Sequence, residues 1–274
     1  MSHNGVRMKR NTVILFLPCF FLGVLCFASE EEQSLIRSGE QCEARSDETG
    51  MLEMALAYYQ KAARINPQSE KAWERISRLY WHIGDELSMK KKKEKLAYYD
   101  LGMEAGKKVL AINPESVGGT YWFAANFAAT GEVKGILQSL WMLPKLFGYM
   151  EKVEKLDKTY DYGAVNRFWT VVLIKIPGPI LRLSGHSRKE AIELMQEAII
   201  FGPGHLTNHL MLAGVYYKVK EIEEAKEKLR WLTSADPDAL PEKKGENRQI
   251  IKRSAQILEA IEKGQKVKDI EFYR

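Results

Sequence analysis

The chain has 274 residues, 45% hydrophobic and 28% charged, with 41 basic against 36 acidic side chains, a composition that excludes a disordered tail and a polytopic membrane protein. Three cysteines are too few for a disulfide framework. The net charge of +5 falls to +2 once Arg7, Lys9 and Arg10 are set aside with the first 28 residues, which is no nucleic-acid signature.

Those residues, 1–28, read as a secretory signal peptide. A basic stretch precedes an apolar run over 13–28, and Glu30, Glu31 and Glu32 follow at once. The run is about 16 residues and contains Pro18, short of the roughly 20 that cross a bilayer as a helix. Ala28 supplies the small residue for cleavage, which sends residues 29–274 to the periplasm. Lipidation of Cys26, giving a lipid-anchored form, is the weaker rival because Leu25 stands where a small residue belongs. After cleavage only Cys42 remains, which excludes an intramolecular disulfide. Met8, opening MKRN, competes with Met1 as the start.

Beyond the leader a pattern of small and bulky residues recurs, closed by proline. Ala55, Tyr59, Ala62 and Pro67 give one copy; Ala191, Met195, Ala198 and Pro203 another; Ala225, Leu229, Leu232 and Pro237 a third. Gly102, Gly106, Val109 and Pro114 form a degenerate copy. Residues four and three apart share a helix face, and the proline stops the helix. The step from Ala191 to Ala225 is 34 residues, the period of the tetratricopeptide helix hairpin. Partner helices follow each proline, marked by Trp73, Ile76 and Tyr80, by Thr120, Phe123 and Phe127, and by His209, Leu212 and Tyr216.

The fold class expected is therefore all-α, a single helical-repeat domain over 29–274, with hairpin repeats and irregular insertions. Regular repeats are placed near 36–84 and 188–239, an insertion region at 132–187, and a capping helix at 246–262. The lysine-rich stretch beginning at Met89 should lengthen both helices of its hairpin. Within the insertion a short apolar turn, a helix near 145–156 and another over 162–175 are expected. Pro177 and Pro179 then force an extended loop.

No catalytic constellation stands out, so no enzyme activity, cofactor or metal is assigned. His205 and His209 lie four apart and would share a helix face, yet no third ligand or general base is near. Cys42 lies in an acidic, exposed-looking stretch without a histidine nearby. Lys90, Lys91, Lys92, Lys93 and Lys95 read as a solvated face flanked by Glu86 and Glu94. The aromatic residues are more suggestive. Tyr121, Trp122, Trp141, Tyr162 and Trp169, with Asn126, Asn166 and Arg167, are candidates to line a ligand cleft. Solenoid core is the competing reading for most of them. Arg167 beside an apolar wall suits a carboxylate.

Three stretches carry a resemblance: TYWFAANFAATGEVKGI, LDKTYDYGAVNRFWTVVLIKIPGP and KEAIELMQEAIIFGPGHLTNHLMLAGVYY. Together they resemble the tetratricopeptide-like T component (TatT) associated with TRAP transporters. The resemblance implies a periplasmic, homo-oligomeric protein, with a trimer among the forms expected. Its implied partners are a periplasmic solute-binding protein, a membrane permease and a small apolar or carboxylate ligand. A microtubule-associated eukaryotic family shares the repeat style, but the leader argues against that setting. A general scaffold for envelope complexes, without a ligand cavity, is the alternative.

Overall fold

The computed structural model describes residues 18–183 and 185–273. The expected leader, with Cys26 and the cleavage junction, lies outside the residues whose side chains are described. Among the described residues thirteen α-helices follow one another, and no strand occurs. They are α1 (Pro18–Glu43), α2 (Met51–Ile65), α3 (Glu70–Glu86), α4 (Lys92–Ile112), α5 (Val117–Lys134), α6 (Ile136–Asp157) and α7 (Tyr160–Lys175). Next come α8 (Gly178–Leu183), α9 (Glu190–Phe201), α10 (Leu206–Val219), α11 (Ile222–Thr233), α12 (Lys244–Glu262) and α13 (Ile270–Tyr273). Among the described residues no helix is long and apolar enough to cross a membrane.

The turns follow from local chemistry. Asn66 and Asn113 precede prolines and are extended, as that position requires. Each accepts, through Oδ1, the backbone N–H two residues on. Ser69 and Ser116 then cap the next helix, accepting from the N–H groups of Ala72 and Gly119. The same Asn-Pro-x-Ser chemistry thus makes both the α2–α3 and the α4–α5 turns.

Packing follows the repeat positions. Ala55, Tyr59, Ala62, Ala191, Met195, Ala198, Ala225, Leu229 and Leu232 are all fully buried, and most helices pack on their neighbours in chain order. The lysine-rich stretch joins only the second helix of its hairpin: α4, of 21 residues, begins at Lys92, whereas α3 stops at Glu86 and Met89–Lys91 form a short 3-10 turn, so the expected lengthening of both helices does not occur.

Several elements correct the sequence reading. The apolar turn and the helix near 145–156 are one helix, α6, with Pro144 inside it. The segment after Pro177 is the short helix α8 rather than an extended loop, with Pro179 in its first turn, where a missing N–H costs nothing. α12 ends at Glu262 but is not the last helix: the chain returns through Val267 and Phe272, both buried against α10 and α12. Cys42 is buried rather than exposed, and its thiol is pushed up by that burial.

Lys95 also departs from the solvated face. It is completely buried, and its ammonium donates to the carbonyls of Gly84, Asp85 and Leu87 at 2.6, 3.1 and 2.9 Å. A cation thereby closes the carboxyl end of α3, where the helix dipole favours it.

The stack bends until its ends meet. Arg248, on α12, grips Asp47, in the first loop, through Nε at 2.7 Å and Nη2 at 2.5 Å. Gln249 donates to the Ser46 carbonyl beside them.

Candidate functional site

A polar seam runs along the inner face, drawn from α1, α3, α5, α7, α10 and α12. Its centre is the start of α7, where Asp161, Tyr162 and Gly163 take left-handed φ values of 43°, 59° and 84°. Gly163 adopts this freely. It is also required there, since a Cβ would stand 2.8 Å from that of Ala198. The other two carry strain of order 1–3 kcal/mol each, and the turn aims both inward.

Asp161 accepts from Arg167 at 2.5 Å and from Lys243 at 3.0 Å. Burial alone would raise its carboxyl, but Lys243, then Arg167 and Arg78, hold it well below the usual carboxylate range. Glu246 accepts from Thr207 at 2.6 Å and lies 3.4 Å from Lys243. Burial opposes its charge too, yet Lys243 leaves it far below its ordinary value. Tyr162 stacks on His205 with ring centres 5.3 Å apart and donates to Glu242. Burial, then the nearby Lys243, pushes His205 down to about 3, so the ring is neutral.

The seam continues into α5 and α3. Trp122 donates to the Tyr160 hydroxyl at 2.8 Å, and that hydroxyl donates to Glu74 at 2.7 Å. Arg78 lies over the Trp122 ring at 5.8 Å. Its guanidinium is 3.2 Å from Glu43, which Arg75 also approaches at 3.4 Å. Cation and carboxylate therefore alternate along the seam, which is how buried charge is made tolerable.

Four of the sequence candidates meet here: Tyr121, edge-on to Trp122 at 5.0 Å, together with Trp122, Tyr162 and Arg167. The carboxylate that Arg167 holds is Asp161 of its own chain, in place of the incoming ligand expected from the sequence. Asn126 and Asn166 sit one turn further on and are buried in helix seams. Asn126 donates to the carbonyls of Ser77 and Trp122, and Asn166 to the Leu194 carbonyl and the Glu197 carboxylate. Trp141 is elsewhere, 83% exposed on α6, and Trp169 packs on Phe147 at 4.9 Å. His205 and His209 do not converge: His209 donates to the Pro203 carbonyl and lies against Trp231.

Glu43, Arg78, Lys243, Glu246, Asn208 and Asn247 are absent from the sequence candidates. One signal points to some of them. Asparagine stands four residues after an inward side chain in Trp122/Asn126, Tyr162/Asn166 and Lys243/Asn247. Asn208 and Asn247 play the same part, donating to Tyr162 and Ala198, and to Gly204 and Pro237.

Among solved structures, a thermophilic tetratricopeptide repeat protein of Thermus thermophilus superposes with a TM-score of 0.57 at 19% identity, covering 83% of this chain and 98% of that one. The fold is of the tetratricopeptide-repeat type. The pilF protein of Pseudomonas aeruginosa is more distant, with a TM-score of 0.48 at 15% identity over 90% of this chain and 96% of its own. The sequence model of the family described as regulator of microtubule dynamics protein 1-3 matches residues 34–160, under half of the chain. No curated protein matches.

Proposed function

We propose that the protein is a non-enzymatic interaction scaffold and, in its specific form, the accessory component of a TRAP-type uptake system. In that role it pairs in the periplasm with a solute-binding protein, beside a membrane permease, as a homo-oligomer. The observation that carries the scaffold reading is the self-pairing of the seam. Asp161 lies between Arg167 and Lys243, and Glu43 between Arg75 and Arg78, so these charges hold helices together. Repeat stacks of this type use their long curved surface for partners. The specific form is supported by the stretches around Tyr121, Tyr162 and Pro177.

Hand-over of an apolar or carboxylate ligand through Tyr121, Trp122, Tyr162 and Arg167 requires those contacts to open first. That requirement favours the second reading, a general envelope scaffold without a ligand cavity. Light scattering on the chain alone, and mixed with a solute-binding protein encoded beside it, tests the proposal. A complex of fixed stoichiometry is expected. A folded chain that forms none at about tens of micromolar, the range of weak specific pairs, defeats the transport form. Long-chain carboxylates added to the same mixture separate the two readings, because only the first expects them to bind.

A further inference from the structure

Two large apolar side chains, Trp141 at 83% and Leu183 at 89% exposed, stand at one end of the stack. Helix contacts place that end. Asn126 meets Ser77 roughly two turns before α5 and α3 stop, and Glu132 pairs with Lys175 at 3.4 Å where α5 and α7 stop. The three helices therefore finish level. Phe147 packs on Trp169 across the antiparallel pair of α6 and α7, and Trp141 lies as far before the first as Lys175 lies after the second. Trp141 thus stands level with the close of α7. From there α8 is held by Leu181, buried in one cluster with Leu173 and Ile174, while Leu183 is left in solvent.

The same end is cationic. Lys90, Lys92 and Lys93 lie at the α3–α4 turn, Lys134 closes α5, and Arg182 adjoins Leu183. All five are exposed, and among the described residues none forms an ion pair. The carboxylates of Glu94, Glu132 and Glu190 are taken by Lys91, Lys175 and His186. Glu86 on α3 and Glu193 on α9 stand unpaired against the five cations.

We infer that this end docks on an anionic lipid surface, with Trp141 and Leu183 entering the headgroup layer and the five cations meeting lipid phosphates. An indole favours the boundary between headgroup and hydrocarbon, and a leucine bare in water gains by leaving it. Cations alone would suit a nucleic acid or an acidic protein. Apolar side chains alone would suit an apolar one. Set together on one end, they match a surface that is anionic outside and apolar just beneath. The inference does not rest on the transport reading, since a membrane-bound scaffold of any kind satisfies it.

Vesicle flotation of the full chain tests it, with equal parts phosphatidylglycerol and phosphatidylcholine against phosphatidylcholine alone, and with heparin as a polyanion that has no apolar phase. Salt-sensitive binding to the anionic vesicles is expected. Trp141→Ala should weaken it about tenfold, and Lys92→Gln with Lys93→Gln about twentyfold, near fivefold for each lysine. These side chains are exposed, so the variants should fold, which circular dichroism checks. The N-terminal apolar segment is common to all of them. Brominated lipid reads the contact separately, because it should quench part of the emission of the wild type that Trp141→Phe lacks. Equal binding to the neutral vesicles, or binding that both variants leave unchanged, overturns the inference. So does heparin binding as tight as vesicle binding, which assigns an acidic macromolecule, or a self-associated chain whose Trp141 is not quenched, which assigns a second copy.

Discussion

Asn126 leans so close to Gly102 that a β-carbon at position 102 would meet its Oδ1 at 2.1 Å. The contact joins α4 to α5 and lets the Asn126 amide reach across to Ser77 on α3. Gly102→Ala should therefore overpack the seam and cost about 1–3 kcal/mol. Urea unfolding checks this. Adding Asn126→Ser should recover part of the loss, because the clash needs both side chains.

Lys95 offers a sharper test of a buried charge. Lys95→Met keeps the stem but leaves the carbonyls of Gly84, Asp85 and Leu87 without their ammonium donor. A loss of about 3 kcal/mol is expected, read as a lower urea midpoint. Lys91→Met, on the exposed side of the same stretch, should change it by less than about 0.5 kcal/mol.

Two tryptophans that read alike as cleft candidates should separate cleanly. Trp122 is 5% exposed and tied to Tyr160, whereas Trp141 is 83% exposed. Trp122→Ala should cost about 3–5 kcal/mol and Trp141→Ala about 0.5 or less. Thermal unfolding of both variants measures the difference.

Acid should unfold the protein in two stages. His82, His205 and His209 are pushed down to about 4, 3 and 4, by burial first in each case. Below about pH 6.5 the unfolded chain takes up protons that the folded one refuses, so each histidine removes up to about 1.4 kcal/mol per pH unit. Asp161 and Glu246 are depressed, so their contribution is present above about pH 4.5 and fades as pH falls further. His205→Phe keeps the stack on Tyr162 and should flatten the melting-temperature profile between about pH 6.5 and 4.5. An unchanged slope would mean that His205 is not held neutral.

Across the closure, Arg248→Ala and Asp47→Ala should each cost about 0.5–1 kcal/mol, since both side chains are partly solvated. The double variant should cost scarcely more than either single one. Denaturant titration of the four proteins gives the coupling directly.

Much of the helical architecture is legible because small residues at a spacing of four and three admit only one arrangement of neighbours. Ala191, Met195 and Ala198 announce both the buried face of α9 and the stop at Pro203. The failures have physical causes. The break expected before residue 145 is absent, because α6 carries Pro144 within it; Pro179, expected to force an extended loop, falls where a helix lacks its N–H bonds in any case. Composition makes Lys95 one of a solvated run, because nothing local reveals that three carbonyls of the preceding helix end converge on its ammonium. For the seam, Tyr162 and Arg167 are visible in the sequence as unusual residues. Glu242, which accepts from Tyr162, and Lys243, which shares Asp161 with Arg167, lie about 80 positions away and are brought in by curvature, which periodicity does not encode.

A row of stacked hairpins ordinarily frays from its two outermost members, each of which has a neighbour on one side only. The clasp between Asp47 and Arg248, with Gln249 on Ser46, gives the first loop and the last long helix a shared border. The row is thereby tied across its open side, by contacts that are partly solvated. Fraying of α2 or α12 must release this tie first, the way a buckle is undone before a strap falls away.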